Sequence, residues 1–165
     1  VDPKLVQEIF IGNVLSAGLG QAPATQVAHE AGLGFEIPAT IVNKVCASGS
    51  KAIMMAAQNI MLGISEVVVA GGMESMSNVP FYADKMRFGA KLGHQQFIDG
   101  LVKDGLWDVY NDFHMGSAAE NTAREMKITR EMQDEYAISS YKKVAEAAEA
   151  GLDGSPLELM RKQLL

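Results

Sequence analysis

The 165-residue sequence has the length of one ordinary domain, and its 48% apolar content supports a packed core rather than a disordered chain. A formal net charge of −6 argues against a nucleic-acid partner, because there is no basic field to neutralise phosphates. The single cysteine rules out a disulfide framework within one chain and fits a reducing, intracellular setting, while no stretch reaches the roughly 18 apolar residues that crossing a membrane requires.

Residues 1–11 read as a turn or short helix leading into a strand, with the apolar run Ile9, Phe10, Ile11 ending at the turn signal Gly12-Asn13. A Gly-rich loop covers 16–21, and an alanine-rich helix follows over 22–31, with Pro23 tolerated in its first turn and Gly32 and Gly34 stopping it. Residues 40–45 are rich in β-branched side chains and predict a strand. From Ala47 to Leu62 the apolar residues Ile53, Met54, Ala57, Ile60 and Met61 recur at helical spacing and predict one apolar face. The run Glu66–Ala70 predicts a strand buried on both faces. Strand, helix and strand within about 30 residues form a βαβ unit, hence an α/β fold with a parallel sheet.

Beyond Pro80 the pattern becomes irregular over 81–113, with a locally basic patch at Lys85, Arg87, Lys91 and His94 that reads as a solvated loop. Ser117-Ala118-Ala119-Glu120 has the form of a capping box and predicts a helix start at Ser117. Thr129 predicts the N-cap of a long helix to Ala150, with Tyr136, Ala137, Tyr141, Val144, Ala145 and Ala148 on one face and Gly151 at its end. The boundaries expected are a half-domain over 1–79, an inserted region over 80–151, and a tail over 152–165.

Cys46 falls where the second strand gives way to a helix. A helix N-terminus carries partial positive charge and unpaired N–H groups, so a thiolate nucleophile is favoured there. The same N–H groups suit a developing oxyanion when the sulfur attacks a carbonyl. A lone cysteine is also a common small core residue, and placement alone leaves both readings open. No general base is identifiable by spacing among His29, His94 and His114. There is no Cys/His cluster of zinc type, no phosphate loop and no dinucleotide fingerprint.

Several segments, in order, resemble the thiolase family. Asn43-Lys44-Val45-Cys46-Ala47-Ser48-Gly49-Ser50-Lys51-Ala52 is similar to the signature around that family's acylated cysteine, and Ala70-Gly71-Gly72-Met73-Glu74-Ser75-Met76-Ser77 to the glycine-rich segment after it. Gly12-Asn13-Val14-Leu15 with Gly20-Gln21-Ala22-Pro23 resembles the stretch upstream. Lys103-Asp104-Gly105-Leu106, then His114-Met115-Gly116-Ser117-Ala118-Ala119-Glu120-Asn121, resembles the inserted loop domain, in wording closest to the branch acting on acetoacetyl-CoA.

The resemblance implies a layered α-β-α fold, here incomplete, holding the N-terminal half and the start of the loop domain. It implies an acyltransferase that condenses two acetyl-CoA to acetoacetyl-CoA and coenzyme A, or the reverse, through an acetyl-Cys46 intermediate with the Cys46 N–H as oxyanion donor. His114 and Met115 are expected to border the acyl and pantetheine pocket. Coenzyme A enters as substrate, with no metal and no resident cofactor, and the partners implied are acetyl-CoA, acetoacetyl-CoA and further copies in a dimer or tetramer. The resemblance places an activating histidine and a second cysteine beyond these residues, so little turnover is expected of this chain alone. Mitochondrion and cytoplasm are both open. A 3-ketoacyl-CoA thiolase of longer chain length and a non-catalytic assembly partner are the alternatives; a ketoacyl synthase is disfavoured by Gly71-Gly72-Met73-Glu74.

Overall fold

Strand β1, Glu8–Gly12, is central in a three-stranded parallel sheet of order β2-β1-β3, with β2 at Ala39–Val42 and β3 at Val68–Gly72. Ile9 lies opposite Ala39 on one side and Val69 on the other. Side chains alternate across a strand, so β1 feeds two cores. Ile9 and Ile11 pack with Ala24 and Ala28 of helix α1, Pro23–Glu30. Phe10 packs with Val42 and with Ala52 and Ala56 of helix α2, Ser48–Met61. The result is a helix–sheet–helix sandwich, the layered α/β arrangement expected. Burial of Phe10, 4% exposed, stabilises it by about 1.5–3 kcal/mol.

The structure is a computed structural model that describes residues 2–151; the expected tail over 152–165 lies outside them. The described residues divide into two compact units, one ending at His114 and the other beginning at Met115. The sheet, α1, α2 and the irregular stretch after β3 belong to the first. That stretch holds two short antiparallel ladders, β4 (Phe81–Tyr82) with β5 (Ile98–Asp99), and β6 (Trp107–Asp108) with β7 (Phe113–His114). A π-helical turn, Val102–Leu106, leads into β6. The basic patch is solvated as expected, with Lys85, Arg87, Lys91 and His94 all exposed. The second unit holds helices α3, Met115–Glu125, and α4, Arg130–Glu149.

Four expectations are corrected. The second strand stops at Val42, not Val45, because Val45 takes a left-handed φ of 50° that no strand continues through. The strand buried on both faces is β1; β3 is an edge of the described sheet, and Val69 is 40% exposed. The face of α2 against the sheet is built from Ala52 and Ala56, because small side chains let a helix lie close to strands; the larger Ile53, Met54, Ile60 and Met61 point outward. Helix α3 begins at Met115, directly after β7, so Ser117 lies inside its first turn rather than capping it. Thr129 does cap α4, its hydroxyl accepting the Met132 N–H at 3.3 Å, and Gly151 takes φ 66° past its end. Tyr136, Tyr141 and Val144 of α4 are exposed.

Candidate functional site

The connection from β1 through α1 places β2 on one side of β1, and the connection through α2 carries the chain across to β3 on the other. Where successive crossovers leave in opposite directions, a crevice opens beyond the carboxyl ends of the strands. A cleft of about 380 Å³ lies there, with Gly12 ending β1, Gly72 ending β3, and the start of α2 on its walls.

Glycine is required at that junction by contact. A methyl group on Gly12 would sit 2.6 Å from the Gly49 nitrogen and 2.6 Å from the Ser48 carbonyl carbon, both backbone atoms. One on Gly72 would sit 3.3 Å from the Gly12 oxygen. Without side chains at these places, the first turn of α2 presses against both strand ends.

Cys46 reaches this cleft from a tight turn between β2 and α2, and it is exposed. The turn carries strain, since a β-branched residue in the left-handed region costs about 1–3 kcal/mol and Val45 stands there at φ 50°. Three side-chain bonds hold it, beside two backbone bonds, from the Ala47 N–H to the Lys44 carbonyl and from the Ser48 N–H to the Val45 carbonyl, each 3.1 Å. Asn43 Oδ1 accepts the Val45 N–H at 3.0 Å. The buried Ser48 hydroxyl accepts the Lys44 N–H at 2.8 Å and donates to the Val45 carbonyl at 2.6 Å. The sulfur is thereby held at the N-terminal, partially positive end of α2, whose first N–H, that of Ser48, donates to the Val45 carbonyl.

A second set of bonds joins the segments leaving β1 and β3. The Glu74 carboxylate accepts the Val14 N–H at 3.0 Å, the Leu15 N–H at 2.9 Å and the Asn13 side-chain amide at 3.0 Å. The Asn13 amide also donates to the Met73 carbonyl at 3.0 Å, and the Met73 N–H to the Gly12 carbonyl at 2.9 Å. Asn13 is 2% exposed, and its Oδ1 has no partner.

The π-helical turn supplies a further wall through Gly105 and Leu106. Gly105 comes close to Leu15, whose side chain would stand 3.3 Å from a methyl there. Tyr82 donates to Asp104 of the same turn at 2.5 Å. This bond holds the Tyr82 phenol above its ordinary ionisation range, with burial and the Asp104 charge adding in the same direction. Asp108, after this turn, is held below the usual carboxylate range by the Asn111 side chain and by the N–H groups of Tyr110 and Asn111.

Of the residues named from the sequence, Cys46 lines the cleft. His114 is half-buried in β7 opposite Trp107, the residue after Leu106, but is not itself part of the lining. Met115 opens α3 in the second unit. His29 stacks on Phe35, ring centroids 4.2 Å apart, and His94 is exposed; neither lines the cleft. Among the described residues no group of three or more His, Cys, Asp or Glu is placed to hold a metal ion. Ser48, Asn13 and Glu74 all stand in the segments singled out from the sequence, but the hydrogen bonds by which each shapes the site were not foreseen there. The available signal was position: each lies within two residues of a strand end or helix start on the crevice side.

Residues 1–157 match the family profile described as the N-terminal domain of thiolase. The chain is 60% identical over 151 residues to acetyl-CoA acetyltransferase 2 of Arabidopsis thaliana, covering 92% of this chain and 38% of that protein. It is 58% identical over 152 residues to the cytosolic acetyl-CoA acetyltransferase ERG10 of Gibberella zeae, again covering 92% and 38%. Other similar acetyl-CoA acetyltransferases are named as mitochondrial. Among solved structures, the Acat5 thiolase of Ascaris suum in complex with coenzyme A superposes with a TM-score of 0.83 at 42% identity, over 92% of this chain and 39% of that one. The chain thus spans under two-fifths of the length of the relatives it matches.

Proposed function

The chain belongs to the thiolase family, matching its N-terminal domain, and on that premise we propose that Cys46 is the nucleophile of an acyl transfer from coenzyme A thioesters. The observation that carries this is the exposed Cys46 sulfur on an apolar-walled cleft at the strand ends, beside the positive end of α2.

In this reading the Cys46 thiolate attacks the carbonyl carbon of acetyl-CoA. The carbonyl oxygen becomes an oxyanion that the N–H of Cys46 receives at the positive end of α2. The bond to the coenzyme A sulfur then breaks, coenzyme A leaves as its thiolate and takes up a proton, and Cys46 keeps the acetyl group. In the whole protein a second acetyl-CoA, deprotonated at its α-carbon, attacks that thioester to give acetoacetyl-CoA and free Cys46; thiolysis is the reverse. Leu15, Val45, Met76 and Leu106 offer an apolar lining that suits an acyl and pantetheine arm. His114 borders that arm in the same reading, supported by its pairing with Trp107 next to Leu106; for Met115 a substrate-binding role rests on the family resemblance alone. Coenzyme A acts as substrate. Assembly with further copies has its support in the outward apolar residues Ile53, Met54, Ile60 and Met61 of α2. An intracellular setting, cytosolic or mitochondrial, follows the naming of the relatives.

The chain has one cysteine, so a second thiol for proton transfer at the cleft is not supplied by these residues. Acetylation without sustained turnover is the expected behaviour. The test is peptide mass mapping after exposure to acetyl-CoA: a hydroxylamine-labile acetyl group on Cys46 supports the reading. An acetyl group confined to lysines, or none at all, overturns it.

A further inference from the structure

We propose that Ser48 is a positioning residue for the nucleophile, its hydroxyl holding the Lys44–Ala47 turn in the strained form that keeps Cys46 at the cleft. The chemical consequence rests on the acyl-transfer reading; the clamp itself rests on geometry alone. The hydroxyl brackets Cys46 by accepting the Lys44 N–H at 2.8 Å and donating to the Val45 carbonyl at 2.6 Å. A group that accepts on one side and donates on the other at one point is a hydroxyl, and alanine supplies neither.

Its need comes from Val45. At φ 50° this β-branched residue sits where only glycine rests without penalty. Relaxing Val45 to a negative φ would reorient the peptide on which Cys46 is carried and take the sulfur from the α2 terminus. The Lys44 and Val45 positions are exposed, so once the hydroxyl is gone water satisfies the freed Lys44 N–H, and the turn is left to the Asn43 bond on the Val45 N–H and to the backbone bonds from Ala47 to Lys44 and from Ser48 to Val45, which oppose relaxation less than the full set does. Ser48, in contrast, is 5% exposed and set in the helix, so its oxygen is a fixed post rather than a mobile surface group.

The test uses the chain as it stands, whose single cysteine makes every thiol reading a reading of Cys46. Two quantities are followed: acetylation of Cys46 by acetyl-CoA, as concentration dependence and limiting rate, and the urea midpoint of unfolding. Ser48→Ala is expected to lower the limiting acetylation rate by about tenfold, the size of losing a hydrogen-bonded constraint, with little change in the half-saturating concentration. Ser48→Thr, which keeps the hydroxyl, retains the rate. In a Val45→Gly background the strain is absent, so adding Ser48→Ala changes rate and urea midpoint far less than it does beside valine. Equal losses in both backgrounds would show that Ser48 acts through packing alone and overturn the proposal, as would a Ser48→Ala chain matching the parent. If the parent takes no acetyl group, the acyl-transfer reading falls, and the urea coupling between positions 45 and 48 still decides the clamp: no coupling overturns it.

Discussion

The Glu74 carboxylate accepts the backbone N–H of Leu15 at 2.9 Å, and this bond ties the segment leaving β1 to the segment leaving β3 across the mouth of the cleft. Two more donors, the Val14 N–H and the Asn13 amide, converge on the same carboxylate. Hydrogen bonds to a charged acceptor are stronger than neutral ones. Glu74→Ala is expected to cost about 2 kcal/mol, discounted for the exposure of the residue. Glu74→Gln should lose roughly half of that, since one of its two terminal atoms can no longer accept. Urea unfolding of the three chains checks the order; a glutamine variant as damaged as the alanine variant would show that charge, not acceptor count, matters.

Gly12→Ala tests the contact at the strand ends. The new methyl would stand 2.6 Å from two backbone atoms of Ser48 and Gly49, neither of which can swing aside as a side chain would. The expected destabilisation is about 3 kcal/mol or more, at the upper end of overpacking costs. Gly72→Ala, with a nearest contact of 3.3 Å, should cost about 1 kcal/mol. Thermal melts of both variants give the comparison.

Tyr82 carries a prediction about alkaline pH. Its phenol donates to Asp104, and ionisation would remove the donor, so its folded pKa lies above the ordinary value of 10.0. A neutral acid whose pKa is raised on folding contributes its stability fully below the unfolded value and loses it as pH rises through the folded value. The chain has four tyrosines. In an absorbance titration of the phenolates, a step above the ordinary tyrosine range should be present in the parent and missing in Tyr82→Phe.

Thr129 caps α4 through a bond from the Met132 N–H at 3.3 Å. Thr129→Ala is expected to speed amide exchange at Met132 by about fivefold, the scale of a lost N-cap; Thr129→Ser should not. The carboxyl of Glu131 is held below its usual value of 4.5 by its own N–H and by the Thr129 side chain. Removing the hydroxyl should move its titration, followed by carbon-detected magnetic resonance, upward toward that value.

Much of this was legible from local pattern. The run Ile9–Ile11 before Gly12-Asn13, the helices over 22–31 and 47–62, and the Thr129 cap follow from side-chain periodicity and capping chemistry, which act over a few residues. Cys46 could be singled out for the same reason, because a strand giving way to a helix is a local event. The faces were harder. Large apolar residues at helical spacing in α2 point away from the sheet, and the alanines point toward it, since how closely a helix approaches strands is decided by partners distant in the chain.

The amino-acid order by itself determined the α/β class, the succession of strands and helices, and the one sulfur able to act as a nucleophile. Only the tertiary structure decided that β1 is the central strand, that Gly12 and Gly72 flank the start of α2, and that Glu74 binds the backbone sixty residues before it. The physical reason is range. Backbone propensity and periodicity are written in neighbouring residues, whereas a close approach between strand ends, or a carboxylate finding its donors, comes into being when distant segments are packed together.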